Sequence, residues 1–151
     1  MTRFEELRKR VPVKQIGNGT IPQYKTEGAS CLDCYARVEH HTEVIFPNER
    51  AIIPLGFALA LPEGYEAIIR PRSGFSKAGV DIAIGTIDCD YRGEVKACVI
   101  NNSPNRLVIQ HGERICQMKI QRSEKFVLLE VDELDETKRG ANGFGSTGTE
   151  G

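Results

Sequence analysis

The chain contains no tryptophan, only two methionines and 7% aromatic residues, so few large rings are available to anchor a core. It has no apolar run near the roughly 18 residues that a membrane helix needs. Charge of one sign is missing as well: 20 basic and 21 acidic side chains leave a formal charge of -1. That balance argues against a scaffold that neutralises nucleic-acid phosphates, so neither nucleic acid nor a membrane is expected as a partner. The opening stretch, with Arg3, Glu5, Glu6, Arg8, Lys9 and Arg10, is too charged for a secretory leader. A cytoplasmic or similarly reducing setting is the expectation, and secretion is not. An odd set of five cysteines, which cannot all close into intrachain disulfides, agrees with it.

Cys31 and Cys34 have the spacing of a zinc or redox pair, but no second such pair exists. They fall in a segment that reads as a strand, where residues three apart point to opposite faces. Packing as small buried hydrophobes is the better reading.

Sustained helical periodicity is also scarce. Short alternating or apolar runs dominate: 11–16, 32–36, 44–46, 57–61, 65–70, 80–84, 94–101, 107–109, 114–120 and 126–131. Turn signals separate them, among them Gly17-Asn18-Gly19, Pro62-Glu63-Gly64 and Ser103-Pro104-Asn105. So many short strands in 151 residues predict one all-β domain, a sandwich, jelly roll or barrel. Helix is expected only over Phe4 to Lys9 and as a single turn after Ser73. The stretch from Gly140 carries five glycines and a single bulky apolar residue, Phe144. Such a tail cannot bury a core face. Composition leaves a disordered end and a ligand-clamping flap both open.

Three segments have the residue types for chemistry. Arg70-Pro71-Arg72-Ser73-Gly74 joins a strand to a helical turn, whose free N–H groups and Arg72 fork suit phosphate oxygens. A plain junction with a solvated arginine fits equally. In Asp88-Cys89-Asp90-Tyr91-Arg92-Gly93-Glu94 an extended backbone would put both aspartates on one side. One could then serve as a general base, or both could be solvated turn residues. A calcium loop fails there, because Arg92 and Val99 stand where oxygen ligands are required. Gly143-Phe144-Gly145-Ser146-Thr147-Gly148 spells a dinucleotide fingerprint, but no helix can follow in three residues. No Walker sequence occurs. What remains is a glycine-rich loop whose N–H groups can wrap a terminal phosphate.

In order and spacing these segments resemble the homotrimeric dUTP pyrophosphatase (dUTPase) family. The match is carried by Asp33-Cys34-Tyr35-Ala36, Pro71-Arg72-Ser73-Gly74, Gly85-Thr86-Ile87-Asp88-Cys89-Asp90-Tyr91-Arg92-Gly93-Glu94, Gly112-Glu113-Arg114-Ile115-Cys116-Gln117, and Arg139-Gly140 with Gly143 to Gly148. The resemblance implies a jelly-roll (β-clip) domain over 1–138, with an N-terminal extension at 1–10 and a flexible substrate-closing tail at 139–151. It implies a homotrimer with shared active sites and Mg²⁺-assisted hydrolysis of dUTP to pyrophosphate and dUMP, the precursor for thymidylate synthesis.

The same resemblance assigns roles. Asp88 would activate the attacking water and Tyr91 would pack on the deoxyribose. Arg72, Ser73, Gly74 and Gln117 would hold the phosphates, and Asp33 would reach the metal through water. Gly85, Thr86 and Ile87 would line the substrate, with Lys96 beside it. Arg139, Gly145, Ser146 and Thr147 would close on the γ-phosphate while Phe144 stacks on uracil.

Departures from the pattern are local. Cys31 and Cys34 replace a common glycine and leucine, and Asn142, a residue tolerant of positive φ, replaces a glycine. Ile82 stands where some members have asparagine, leaving base recognition to the backbone of an expected 80–87 hairpin. The rival functions are a dCTP deaminase-like enzyme of the same fold and a nucleotide-gated regulator that binds other proteins.

Overall fold

The computed structural model describes residues 9–145 and 148. The predicted helix over Phe4 to Lys9 lies almost wholly outside them, as do Ser146 and Thr147. In chain order the strands are β1 (Val13–Gln15), β2 (Leu32–Tyr35), β3 (Glu43–Ile45), β4 (Arg50–Pro54), β5 (Phe57–Leu59) and β6 (Tyr65–Arg70). One short helix, α1 (Ser73–Lys77), precedes β7 (Val80–Ile82), β8 (Gly85–Ile87), β9 (Lys96–Asn101), β10 (Leu107–Ile109) and β11 (Arg114–Arg122). The all-β expectation holds, as does the helical turn after Ser73.

A four-stranded sheet in the order β2-β11-β6-β8 carries Asp33, Gln117 and Gly85 to Ile87 among the functional candidates. A three-stranded sheet, β4-β9-β7, and the pairs β1-β5 and β3-β10 complete the wall, every pairing antiparallel. Inward residues alternate along strands such as β6, β7 and β9, while β5 is buried throughout, and these residues meet in a single core. Phe57, Ile45, Ile53, Leu55, Ile69, Ile82, Ile109, Ile115 and Met118 are its largest members, together with Val95 and Val99. Cys34 and Cys116 face each other across β2 and β11 and are fully buried, packing as small apolar side chains. The neighbouring Cys116 thiol and, after it, burial push the Cys34 thiol well above its ordinary range.

The longest strand contains the feature that shapes the site. In β11 the register with β2 shifts between Arg114 and Cys116, a β-bulge. Ile115 and Cys116 are consequently both buried, although they are adjacent in a strand. The extra residue turns Arg114 onto the face of β11 that bears Gln117, opposite Asp33.

Three expectations are corrected. The 80–87 segment is not a hairpin: β7 pairs with β9 and β8 with β6, so the chain changes sheets between them. The Ala83 N–H bonds to the Cys98 carbonyl at this crossing. Residues 126–131 form no strand in the chain; Val127 and Leu128 are 97% and 93% exposed. The alternation is that of a strand, but no neighbouring edge of the same chain offers it hydrogen bonds. Positive φ falls on Phe144 and Gly145 instead of Asn142.

The one fully buried polar side chain among the described residues is Asn101, at the end of β9. Its amide donates to the carbonyls of Ile45 and Asn105, both at 2.8 Å. Its oxygen accepts from the Ser103 N–H at 3.0 Å and the Ser103 hydroxyl at 2.7 Å. Asn101→Ala strands the Ile45 carbonyl and the Ser103 N–H, leaving the Ser103 hydroxyl to the Asn105 carbonyl, and is expected to cost about 3 kcal/mol, a melting-point loss of roughly 6–12 °C by calorimetry. A loss under about 1 kcal/mol would show that water replaces the amide freely.

Candidate active site

Six of the predicted residues gather in one cavity. Gly85, Thr86, Ile87, Asp88, Tyr91 and Lys96 line a recess of about 230 Å³, joined there by Ile69, Glu94 and Val95. β8 forms its wall. That strand is the edge of its sheet, bonded only to β6, so half of its backbone N–H and C=O groups face the recess or solvent. Ile82, by contrast, is 1% exposed within the core, and its side chain does not reach the recess.

The loop after β8 is a turn, not the extended segment expected from Asp-x-Asp. The Tyr91 N–H bonds to the Asp88 carbonyl at 3.1 Å, which reverses the chain between them. Asp88 therefore lines the recess with Tyr91, while Asp90 lies outside it beside Ser123 and Lys125. The Tyr91 hydroxyl donates to the Glu94 carbonyl at 2.9 Å, which leaves the ring 45% exposed at the recess. Gly93 lies under that ring: a Cβ there would sit 2.5 Å from the Tyr91 hydroxyl oxygen. Only glycine admits the ring in this position.

Glu94 anchors the loop from behind. Its carboxylate accepts from Arg37 Nε and Nη2, both at 2.7 Å, and from the Gly56 N–H at 2.9 Å. Gly56, at φ +75°, packs so closely on Gly19 that a Cβ on either would lie 2.4 Å from the other's backbone. No local sequence signal marks Arg37, which is 57 residues from Glu94 in the chain.

A second group sits at the other end of the sheet. Asp33 pairs with Arg114 at 2.9 Å and lies 3.7 Å from Arg72. Arg72 Nη1 donates to the Arg114 carbonyl at 3.0 Å, and Gln117 Nε2 to the Pro71 carbonyl at 2.9 Å. Arg72 caps α1 with its backbone only, so Ser73 and Gly74 begin the helix with no side chain on their N–H groups. Gln117 is two strands from β8, roughly 10 Å across. Its partner Arg70 is three residues along β6 from the partner of Ile87, about 10 Å further. Within one chain, Asp88 and Gln117 are thus well apart, although the recess extends back to Gly85 and Ile69, next to Arg70.

The described residues of the tail join neither group. Arg139 Nε donates to the Asn142 carbonyl at 2.9 Å in a turn of its own, and Phe144 is fully exposed. Among the described residues no group of three or more His, Cys, Asp or Glu side chains gathers as a metal cage. No helix among them is long and apolar enough to cross a membrane.

The profile of the dUTPase family matches residues 17–148. The chain belongs to the dUTPase family. It is 45% identical to a deoxyuridine 5'-triphosphate nucleotidohydrolase of Finegoldia magna over 142 residues, 92% of this chain and 99% of that one. A Hydrogenobaculum protein of the same name is 48% identical over 134 residues, covering 87% and 92% of the two chains. The dUTPase of Staphylococcus bacteriophage 80alpha, solved with dUpNHpp, superposes with a TM-score of 0.85 at 26% identity, over 94% of this chain and all of that one. The jelly-roll expectation is met by this dUTPase fold.

The Glu94 anchor has a pH signature. Arg37 above all, then the Gly56 N–H, holds the Glu94 carboxyl below its usual range despite partial burial. A lowered value in the fold means that the stabilisation is complete above the unfolded value near pH 4.3, and is lost as pH falls through the folded value. Glu94→Gln is expected to lower the denaturant midpoint at pH 7, with the gap to the parent protein shrinking towards pH 3. A gap constant from pH 7 to pH 3 would contradict the anchor.

Proposed function

We propose that this chain hydrolyses dUTP to dUMP and pyrophosphate, using a site assembled between the subunits of a homotrimer. The observation that carries the reading is the convergence of Asp88, Tyr91 and the open edge of β8 on one recess. Asp88 takes the proton of the water that attacks the α-phosphorus. The backbone of Gly85 to Ile87 meets the uracil edge, and the exposed face of Tyr91 lies against the deoxyribose, where a ribose 2′-hydroxyl finds no room. Lys96, in the same recess, faces the substrate.

The phosphate chain is held by Arg72, by the unbonded N–H groups of Ser73 and Gly74, and by Gln117. Mg²⁺ suits the donor set, since it keeps most of its waters and is held largely by substrate phosphates. The phage phi11 dUTPase of Staphylococcus aureus is described as coordinating a structural Mg(II) ion. Here Asp33, already paired with Arg72 and Arg114, fits a partner that orients the ion's water shell. When bound, the ion neutralises charge that develops on the phosphates. The cytoplasm, or another reducing compartment, suits five free cysteines.

The trimer supplies what one chain lacks. A cationic group and a catalytic base set apart within the chain can meet across a subunit boundary, where symmetry repeats the arrangement. The exposed apolar run from Phe126 to Leu129 gives the boundary something to bury. Residues 139–151 are glycine-rich, the described ones hydrogen-bond only within 137–148, and the segment is long enough to close a neighbour's site. There Arg139, Gly145, Ser146 and Thr147 wrap the γ-phosphate and Phe144 covers the base. Such closure excludes water late, after the correct substrate has bound.

Asp88→Asn keeps the shape and removes the base. Its kcat for pyrophosphate release from dUTP is expected to fall on the order of 10²–10⁴-fold, with affinity for a non-hydrolysable dUTP analogue retained. A variant that keeps most of the parent rate would remove Asp88 from the role. The same assay run with dCTP, reading ammonia, separates a deaminase.

A further inference from the structure

We propose that Arg37, which lies behind the recess wall and lines neither the recess nor the second cationic group, is a positioning residue for Tyr91 and so sets the preference for deoxyribose. The inference rests on the dUTPase reading of the recess and extends it to a residue outside the family's motifs. Arg37 grips the Glu94 carboxylate with two parallel 2.7 Å bonds, the fork geometry that only arginine supplies. The third arm of that carboxylate takes the Gly56 N–H. Glu94 therefore cannot rotate without breaking three hydrogen bonds.

The backbone carbonyl of the same residue receives the Tyr91 hydroxyl. The ring is thus fixed at its tip by Glu94 and supported below by Gly93, with its remaining face open to the recess. Arg37 is itself locked: its N–H bonds to the Pro54 carbonyl at 2.8 Å, and Nη1 meets Glu39 at 3.3 Å. Glu39 in turn accepts the Asn18 N–H. Position passes from the β4–β5 corner through Arg37 and Glu94 to the aromatic ring.

Rejection of a 2′-hydroxyl by contact depends on how firmly that ring is held. A ring that can retreat by a fraction of an ångström admits ribose at little cost to the deoxyribose substrate. Loss of the anchor should therefore raise UTP turnover more than it lowers dUTP turnover. A merely structural role would depress both alike.

The test uses full-length protein in three variants. Arg37→Met removes the fork, Arg37→Lys keeps the charge without the two parallel bonds, and Gly93→Ala pushes the ring from below. The ratio of kcat/KM for dUTP over UTP is expected to fall about tenfold in Arg37→Met and Gly93→Ala, with Arg37→Lys between them and the parent. The 19F resonance of Tyr91 in fluorotyrosine-labelled protein, read without any nucleotide, should shift or broaden in each variant. That resonance reports ring position even if the parent protein proves not to discriminate dUTP from UTP, an outcome that sinks the functional reading separately. A Tyr91 resonance that stays unmoved in Arg37→Met overturns the positioning role. A moved resonance with an unchanged dUTP/UTP ratio overturns its link to sugar choice.

Discussion

The register of β11 is the constraint on which the binding groups depend. This strand lies between β2 and β6, and its pairing puts Asp33, Gln117 and Arg70 in one row across the sheet. The bulge at Ile115 then adds Arg114 to the same face, where it pairs with Asp33. A one-residue slip would send Gln117 inward and bring an apolar neighbour out. Ile115, Cys116 and Met118, all buried, hold the strand against that slip, so the core fixes the cationic group's geometry.

The same sheet keeps the two halves of the chemistry apart. β8 at its edge carries Gly85 to Ile87 and delivers Asp88 to the recess; β11, two strands away, carries Gln117. Opposite charges meet on both sides, Asp33 with Arg72 and Arg114, and Glu94 with Arg37. Each pair is partly exposed, so its value lies less in stability than in orientation. In the proposed mechanism, a monomer so arranged has recognition at one end and the base at the other. Symmetric association is the economical way to unite them.

Much of this was legible in the sequence. Tyr65 to Arg70 and Leu107 to Ile109 were readable as strands because apolar positions alternate between clear turn signals. Gly85 to Ile87 does not read as a strand of its own: three residues beginning with glycine carry too little pattern. Arg50 to Pro54 is hidden for a related reason: exposed Ile52 stands between inward-facing Ala51 and Ile53, so no apolar alternation shows. Residues 126–131 have the pattern of a strand without a partner in the chain, a matter that no single-chain periodicity can decide. The motif residues around Asp88 are legible only through family resemblance; their spacing alone suggests an extended pair of carboxylates, where the chain in fact turns. Arg37 and the bulge at Ile115 gave no local sign at all. One depends on a contact 57 residues away, the other on a register that only the folded sheet defines.

A site built from different chains can be demonstrated by mixing two inactive proteins. Asp88→Asn lacks the base but keeps the tail; a chain ending at Lys138 keeps Asp88 and lacks the tail. Refolded together in equal amounts, with subunit exchange followed by a mass tag and trimers isolated by size, they should regain pyrophosphate release from dUTP. Random assembly leaves about a quarter of the sites with an intact Asp88 and an intact tail from separate chains. Exchanged trimers that stay inactive would contradict the shared site.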